Sequence, residues 1–325
     1  DGNMMVADFE VGPRSGASAY GDPVRSDFGG VEVGTASIFK TVTLTNYGDQ
    51  DLVISDIPSS VGDFNMVTSL TFPITLSPYD DSLSLAFTFS PTDVGGAQEY
   101  YTMSSNDTDF PGFNMLGHGV VLYPALDKTI YASSGEMNSG EILTIDASTG
   151  AGTLLGSSLF DKVKSLSIHP TSGKIYGLVS RNTDADIIKV NSGGGDSYTL
   201  FTLDLPQMAS IAFDTAGTLY GMLRNGNLYT IDLAHGTFTL VVDAVSSYSG
   251  IVFHPMTNEL WASASIIAGP NVDAIFKVDL STGDTTIVGH TGLGKQTNDI
   301  VFDERSNLYG IIGANNELSD FISID

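Results

Sequence analysis

The 325-residue chain carries 38 acidic and 13 basic side chains, a net charge of −25, and is 42% hydrophobic but only 16% charged. It can therefore bury cores, while its field repels nucleic-acid phosphates and anionic lipid heads, which makes both poor partners. It has no cysteine, which excludes disulfides, thiolate metal centres and cysteine nucleophiles.

No apolar run exceeds strand length, so no transmembrane helix and no membrane insertion are expected. Asp1 is not an initiator Met, so the N-terminus reads as processed or trimmed. Residues 1–23 are expected to form an N-terminal strand and a loop. Met4, Val6, Phe9 and Val11 mark the strand, and a Gly/Ser/Pro-rich stretch from Gly12 to Pro23 marks the loop. The strand is either an edge of its own domain or an arm for another subunit's sheet.

Residues 24–119 read as an Ig-like β-sandwich, with about seven short strands punctuated by turn signals. In Phe39–Asn46 the alternation sends Val42 and Leu44 to the core. In Leu83–Phe89 it sends Leu83, Leu85, Phe87 and Phe89 there. Five separated strings carry a resemblance: Asp27-Phe28-Gly29-Gly30-Val31-Glu32-Val33-Gly34-Thr35, Thr43-Leu44-Thr45-Asn46-Tyr47-Gly48, Phe87-Thr88-Phe89-Ser90-Pro91, Ser105-Asn106-Asp107 and Leu116-Gly117-His118-Gly119. This span resembles the choice-of-anchor D or Hydin-like Ig module, with Tyr47 where such modules often carry Thr. The resemblance implies a spacer or interaction module of secreted and surface-attached bacterial proteins, with no catalytic residues to carry over.

From residue 120 one phrase recurs five times. An apolar–aromatic pair opens it: Ile130-Tyr131, Ile175-Tyr176, Leu219-Tyr220, Leu260-Trp261 and Leu308-Tyr309, the aromatics lying 45, 44, 41 and 48 residues apart. An apolar–acid or apolar–amide pair closes it: Ile145-Asp146, Val190-Asn191, Ile231-Asp232, Val278-Asp279 and Ile324-Asp325. A period of about 40–50 residues built from short strands predicts the blades of a β-propeller over 120–325. Tyr123-Pro124 precedes Tyr131 as His169-Pro170 precedes Tyr176, so blade one is expected to start near Gly119–Pro124. The repeat resembles secreted bacterial propellers of the YVTN and NHL groups. The fold class is thus all-β: an Ig-like sandwich followed by a propeller of at least five blades, the last incomplete. That blade stops at its third strand, through Phe321, Ile322 and Ile324. Three readings stay open: the natural protein continues, a ring closes with a three-stranded blade, or the open edge takes a neighbour's strand, such as Met4–Val11.

Chemistry-bearing motifs are sparse. His169 and His254, each before Pro at equivalent positions, read as turn residues. No metalloprotease, nucleophile-elbow, P-loop or dinucleotide motif appears, and the Gly193-Gly194-Gly195 run reads as a hairpin turn. The acid-rich turns around Asp184 and Asp186, Asp273, and Asp107 and Asp109 could hold Ca²⁺ through oxygen ligands. Ordinary turn chemistry accounts for them as well. No other cofactor and no catalytic residue is expected. The sequence thus points to a non-enzymatic extracellular or cell-surface protein for structure, adhesion or assembly. Its partners would be other copies of itself, surface proteins, or a glycan or peptide on the propeller. A propeller enzyme would need a cluster of His, Tyr or carboxylates converging on the channel, which the sequence does not display.

Overall fold

A computed structural model describes residues 15–134, 140–243, 248–264, 270–312 and 319–324. The described residues form strands and turns with no helix, and the chain divides into two compact units, Asp1–Val120 and Val121–Asp325.

The first unit holds eleven strands in three sheets around one core. One sheet runs β1 (Ala19–Asp22), β3 (Lys40–Asn46), β8 (Asp81–Phe89), β6 (Phe64–Met66), β5 (Ser60–Val61). The second runs β10 (Ser104–Ser105), β4 (Leu52–Asp56), β7 (Ile74–Leu76), and the third β2 (Arg25–Glu32), β11 (Gly112–Val120), β9 (Gly95–Thr102). All pairings are antiparallel except that of β11 with β2. Val42, Leu44, Leu85, Phe87 and Phe89 are buried as the alternation requires, while Leu83 packs at the margin of the core. An aromatic cluster fills the centre: Phe87 meets Tyr101 and Phe113 edge-on, at centroid distances of 5.0 and 5.3 Å. Among the described residues of this unit Asn46 is the one fully buried side-chain amide, and it is saturated. Its Nδ2 donates to the carbonyls of Gln50, Leu76 and Ser77, and its Oδ1 accepts from Gly48 N and Ser18 N.

One expectation is corrected here. The stretch read as loop contains β1, whose residues Ala19 to Asp22 pair with Asn46 to Thr43. Gly21 has a steric reason, because a Cβ there would lie 2.9 Å from the Phe110 ring. A four-residue strand whose one bulky member, Tyr20, is exposed looks like a loop to any reading that counts apolar bulk.

The second unit is a β-propeller array of five consecutive antiparallel sheets. The first has three strands: β12 (Ile130–Ser133), β13 (Glu141–Ile145) and β14 (Gly152–Ser157). Three four-stranded blades follow. Blade two is β15 (Ser165–Ile168), β16 (Ile175–Ser180), β17 (Ala185–Val190) and β18 (Ser197–Leu203). Blade three is β19 (Met208–Phe213), β20 (Leu219–Leu223), β21 (Leu228–Asp232) and β22 (Thr237–Val242). Blade four is β23 (Tyr248–Phe253), β24 (Leu260–Ala264), β25 (Ala274–Val278) and β26 (Thr285–His290). Blade five is β27 (Thr297–Phe302), β28 (Leu308–Ile312) and β29 (Asp320–Ile324).

The innermost strands β15, β19, β23 and β27 neighbour one another in turn. Among the described residues blade one has no such strand. Of Gly119–Pro124, expected to open it, Gly119 and Val120 end β11 and residues 121–124 are not a strand; this segment binds the turns of blade two. Ala125 N donates to Gly173 O (2.8 Å), Ser192 N to Tyr123 O (3.4 Å) and Lys174 Nζ to Leu122 O (3.1 Å). The array curves back on itself, since a Cβ on Gly150 of the β13–β14 turn would lie 3.7 Å from Phe321 Cβ of the fifth blade.

Both repeating landmarks now have physical causes. The closing Asp or Asn caps the turn between third and fourth strands. Its side-chain oxygen accepts backbone N–H groups two or three residues on, as at Asp146, Asn191, Asp232 and Asp279. Four residues later a glycine donates back to the landmark carbonyl at 2.8–2.9 Å, with φ of +71° (Gly150), +78° (Gly195), +65° (Gly236) and +79° (Gly283). The opening aromatic reaches forward to the next blade. Tyr176 meets Phe213, Tyr220 meets Phe253 and Trp261 meets Phe302, at 5.1, 4.9 and 5.2 Å. Tyr309 of the fifth blade stacks on Phe321 of its own sheet, at 5.3 Å.

The blade-to-blade aromatic contact should dominate the propeller's stability. Replacing the buried Phe253 by Ala is expected to cost about 3 kcal/mol in urea unfolding. A loss below about 1 kcal/mol would place the cohesion elsewhere.

Candidate functional site

The acid-rich turns are held by partners within the chain. Arg181 ends the second strand of blade two. Its guanidinium binds Asp184 (Nη1–Oδ1, 2.7 Å) and Asp186 (Nη2–Oδ2, 2.6 Å), while the other oxygen of Asp186 accepts from the Thr202 hydroxyl (2.6 Å). The Arg181 hydrogen bond, helped by the Thr183 hydroxyl, holds the Asp184 carboxyl below its usual range. Asp273 accepts from His290 Nδ1 (2.9 Å) and Gly294 N (3.2 Å), and the His290 bond lowers its pKa. Asp107 accepts from Ala19 N and Asp109 N and so fastens β1 to the β10–β11 connection; the carboxyl of Asp109 stands in the same turn. Among the described residues no three His, Asp or Glu side chains gather as a metal site. The reach of Arg181 to positions three and five further on was readable in the sequence, had the turn been drawn with its strand ends.

His169 and His254 sit in turns, as expected. Each Nδ1 accepts from the backbone two and three residues ahead, and each ring packs on the next blade's Phe213 or Phe302, at 4.9 and 4.8 Å.

The assembly residues divide. Met4, Val6, Phe9 and Val11 lie outside the described residues. Phe321 stacks on Tyr309, and Ile324 packs into the fifth blade's core beside Leu308 and Ile300. These two side chains thus pack within their own blade. Ile322 is half-buried beside them. Among the described residues β29 pairs with β28 alone, which leaves its other backbone edge unpaired.

A feature not singled out from the sequence is more extensive. The outermost strands β14 (GTLLGS), β18 (SYTLFTL), β22 (TFTLVV) and β26 (TTIVGH) contain no Asp, Glu, Lys or Arg. Each ends its sheet, and three of them expose apolar side chains: Leu154, Phe238, Leu240, Ile287 and Val288. A bulge interrupts the pairing of each with the strand before it. In a chain of net charge −25, four charge-free perimeter strands are a pattern a residue count would have found.

A cavity of about 490 Å³ opens on the β2–β11–β9 sheet of the first unit, lined by Asp27, Gly96, Gln98, Leu116 and His118 among others. His118 stands between Gly30 and Gly96 in the register, so neither neighbouring strand covers its ring with a side chain.

The chain matches no protein-family model and no curated protein sequence. Solved structures with a similar chain path include a nidogen/laminin complex, at 18% identity over 60% of this chain and 73% of that one, TM-score 0.43. TolB from Acinetobacter baumannii is 16% identical over 69% of this chain and 57% of its own, TM-score 0.40. Regucalcin from Agrobacterium tumefaciens, described as a calcium-binding protein, is 17% identical over 69% and 82%, TM-score 0.40. These likenesses are too distant to bear on activity.

Two outcomes are expected at the blade-two turn. Arg181→Ala strands the buried Asp186 carboxylate with Thr202 alone and should cost about 1–3 kcal/mol in chemical unfolding. Excess Ca²⁺ should leave the wild-type Tm unchanged, whereas a rise would show that these acids hold the cation.

Proposed function

We propose that the chain is an extracellular or cell-surface, non-enzymatic structural protein that associates with copies of itself through strand edges. In this reading the first unit is an Ig-like spacer of the choice-of-anchor D kind and the second a YVTN/NHL-like propeller. Together they form a subunit of a filament or surface layer. The charge-free perimeter strands carry the proposal. Soluble β-proteins guard open edges with charged side chains or proline, and the outer strands here have neither, although the chain is rich in acids. Exposed Phe238, Leu240, Ile287 and Val288 would add apolar burial to backbone pairing at such a contact. Bulges limit how far an incoming strand could pair, which favours a specific contact over open-ended stacking.

The cavity beside His118 supports a second reading, an adhesin-type module for a glycan or peptide. Its polar groups are a carboxylate, an amide and an imidazole over a glycine-lined floor, and they suit a hydroxyl- or amide-rich ligand.

Light scattering with negative-stain imaging separates the two. Self-association is expected for the wild type and should fall towards monomer in the double variant Leu240→Lys, Ile287→Lys. A wild-type monomer at every concentration, with binding on a glycan or peptide array that is lost in His118→Ala, would replace assembly by adhesion.

A further inference from the structure

Cations are scarce in this chain, 13 against 38 acids, yet four of them converge on one place in the propeller. The peptide Gln207–Met208, where the chain enters the inner strand β19, collects them. The Met208 carbonyl accepts Lys164 Nζ at 3.0 Å, and the Gln207 carbonyl accepts Arg224 N at 3.1 Å. Gln207 N in turn donates to the Arg181 carbonyl at 2.8 Å. Strand pairing agrees with these bonds, since Met208 faces Leu223, the neighbour of Arg224. Lys164 N is itself fixed to the Leu178 carbonyl at 2.7 Å, and Lys162 stands two residues before it. Three connections, β14–β15, β16–β17 and β20–β21, thus each bring basic residues to a fourth, β18–β19.

The four differ in what faces their charge. Arg181 is paired with Asp184 and Asp186. Lys164 directs its ammonium to a neutral carbonyl, and its three N–H groups outnumber that one acceptor. The residue keeps accessible surface although protein encloses its ammonium, which describes a concave, wetted position. That enclosure, and then the charges of Arg224 and Lys162, bring the Lys164 pKa down to about 8. No carboxylate is among the groups acting on it, although Asp161 and Asp204 lie in the adjoining connections. Arg224 and Lys162 have further interactions of their own, so they enter here through charge and position. The backbone is strained at the same point. Gln207 is held at φ +54°, a left-handed conformation uncommon for a residue with a side chain. Strain and gathered like charge in one concave spot are marks of a ligand site.

We propose that Lys164, Arg224 and Lys162 form a binding site for a dianionic tetrahedral oxyanion, a sulfate or phosphate group. A guanidinium offers such a group paired N–H donors, and an ammonium adds a compact point charge. A planar carboxylate carries a single charge and balances three cations less well. The many acids elsewhere do not prevent this, because at physiological salt charges further than about 8 Å away are largely screened. The site is independent of both functional readings above, since neither the outer strands nor the His118 face takes part. Lys164 must be protonated to act, so the affinity for sulfate, whose own charge is constant near neutrality, falls as pH rises past about 8.

Calorimetric titration of the full chain with inorganic sulfate and inorganic phosphate tests the site. One saturable site per chain is expected, weakened at least about tenfold in Lys164→Gln and in Arg224→Gln. Lys128→Gln removes an exposed cation before the start of β12, whose other end meets Val163, and should leave the affinity unchanged. The decline of sulfate affinity above pH 8 should be present in wild type and absent in Lys164→Gln. Each variant's Tm without added ions separates misfolding from lost binding. If Lys164→Gln misfolds, Arg224→Gln and the wild-type pH profile still decide. Glucose 6-phosphate in place of phosphate identifies the source: equal or tighter binding supports a group carried on a larger ligand, and weaker binding supports a free ion. No saturable binding of either inorganic ion, or equal affinity in wild type and both Gln variants, would overturn the proposal.

Discussion

The second unit depends on one contact made over and over, in which an aromatic on a blade's second strand lies against a phenylalanine on the next blade's inner strand. A single four-stranded sheet cannot bury both of its faces. The forward-reaching Tyr176, Tyr220 and Trp261 make each blade's core partly the property of its neighbour. Stability is then a sum of nearest-neighbour terms. Within the fifth blade Tyr309 lies on Phe321 of its own sheet. The same contact explains why the aromatic is the most regular mark in the sequence while strand lengths vary around it.

That mark made the repeat legible, and the turn acids with their glycines four residues later made it legible twice over. What stayed hidden has identifiable causes. Tyr123-Pro124 copies the His-Pro turns in residue type, so residues 119–124 looked like the start of a blade. Gly119 and Val120 end β11, the backbone at Leu122, Tyr123 and Ala125 binds the turns of blade two, and no period reveals that. The strand Ala19–Asp22 was hidden because it is short and crowding by Phe110 keeps one of its four positions a glycine. In the first unit, Val42, Leu44 and Phe87 were placed correctly because one-sided burial enforces alternation.

The candidate sites were less readable than the fold. Counting acids picked out Asp184 and Asp186 but not the arginine that binds both, because the pairing depends on how the hairpin folds back. Asp299 stands inside an apolar strand, and the close approach that accommodates its carboxyl comes from Gly250 of another blade, 49 positions away by subtraction. The charge-free outer strands, by contrast, could be read directly. Their signal is an absence of charged residues over a stretch, which no single residue displays.

The turn geometry also bears on the great excess of negative charge. Many acids here have backbone work to do. At Asp146 the Ser148 hydroxyl and the Thr149 and Ser148 N–H groups bring the carboxyl down to about 2, and Asp232 and Asp279 are lowered by similar turn bonds. A carboxylate recruited to cap a turn is thereby made harder to discharge. The propeller's anionic coat is thus in part a by-product of how its hairpins close, and acid strong enough to neutralise a free carboxylate leaves these positions charged. Carboxylates kept ionised at these turns push the pH of zero net charge below the value of about 4.1 that composition gives, so the device that shapes each blade also helps set where the protein is least soluble.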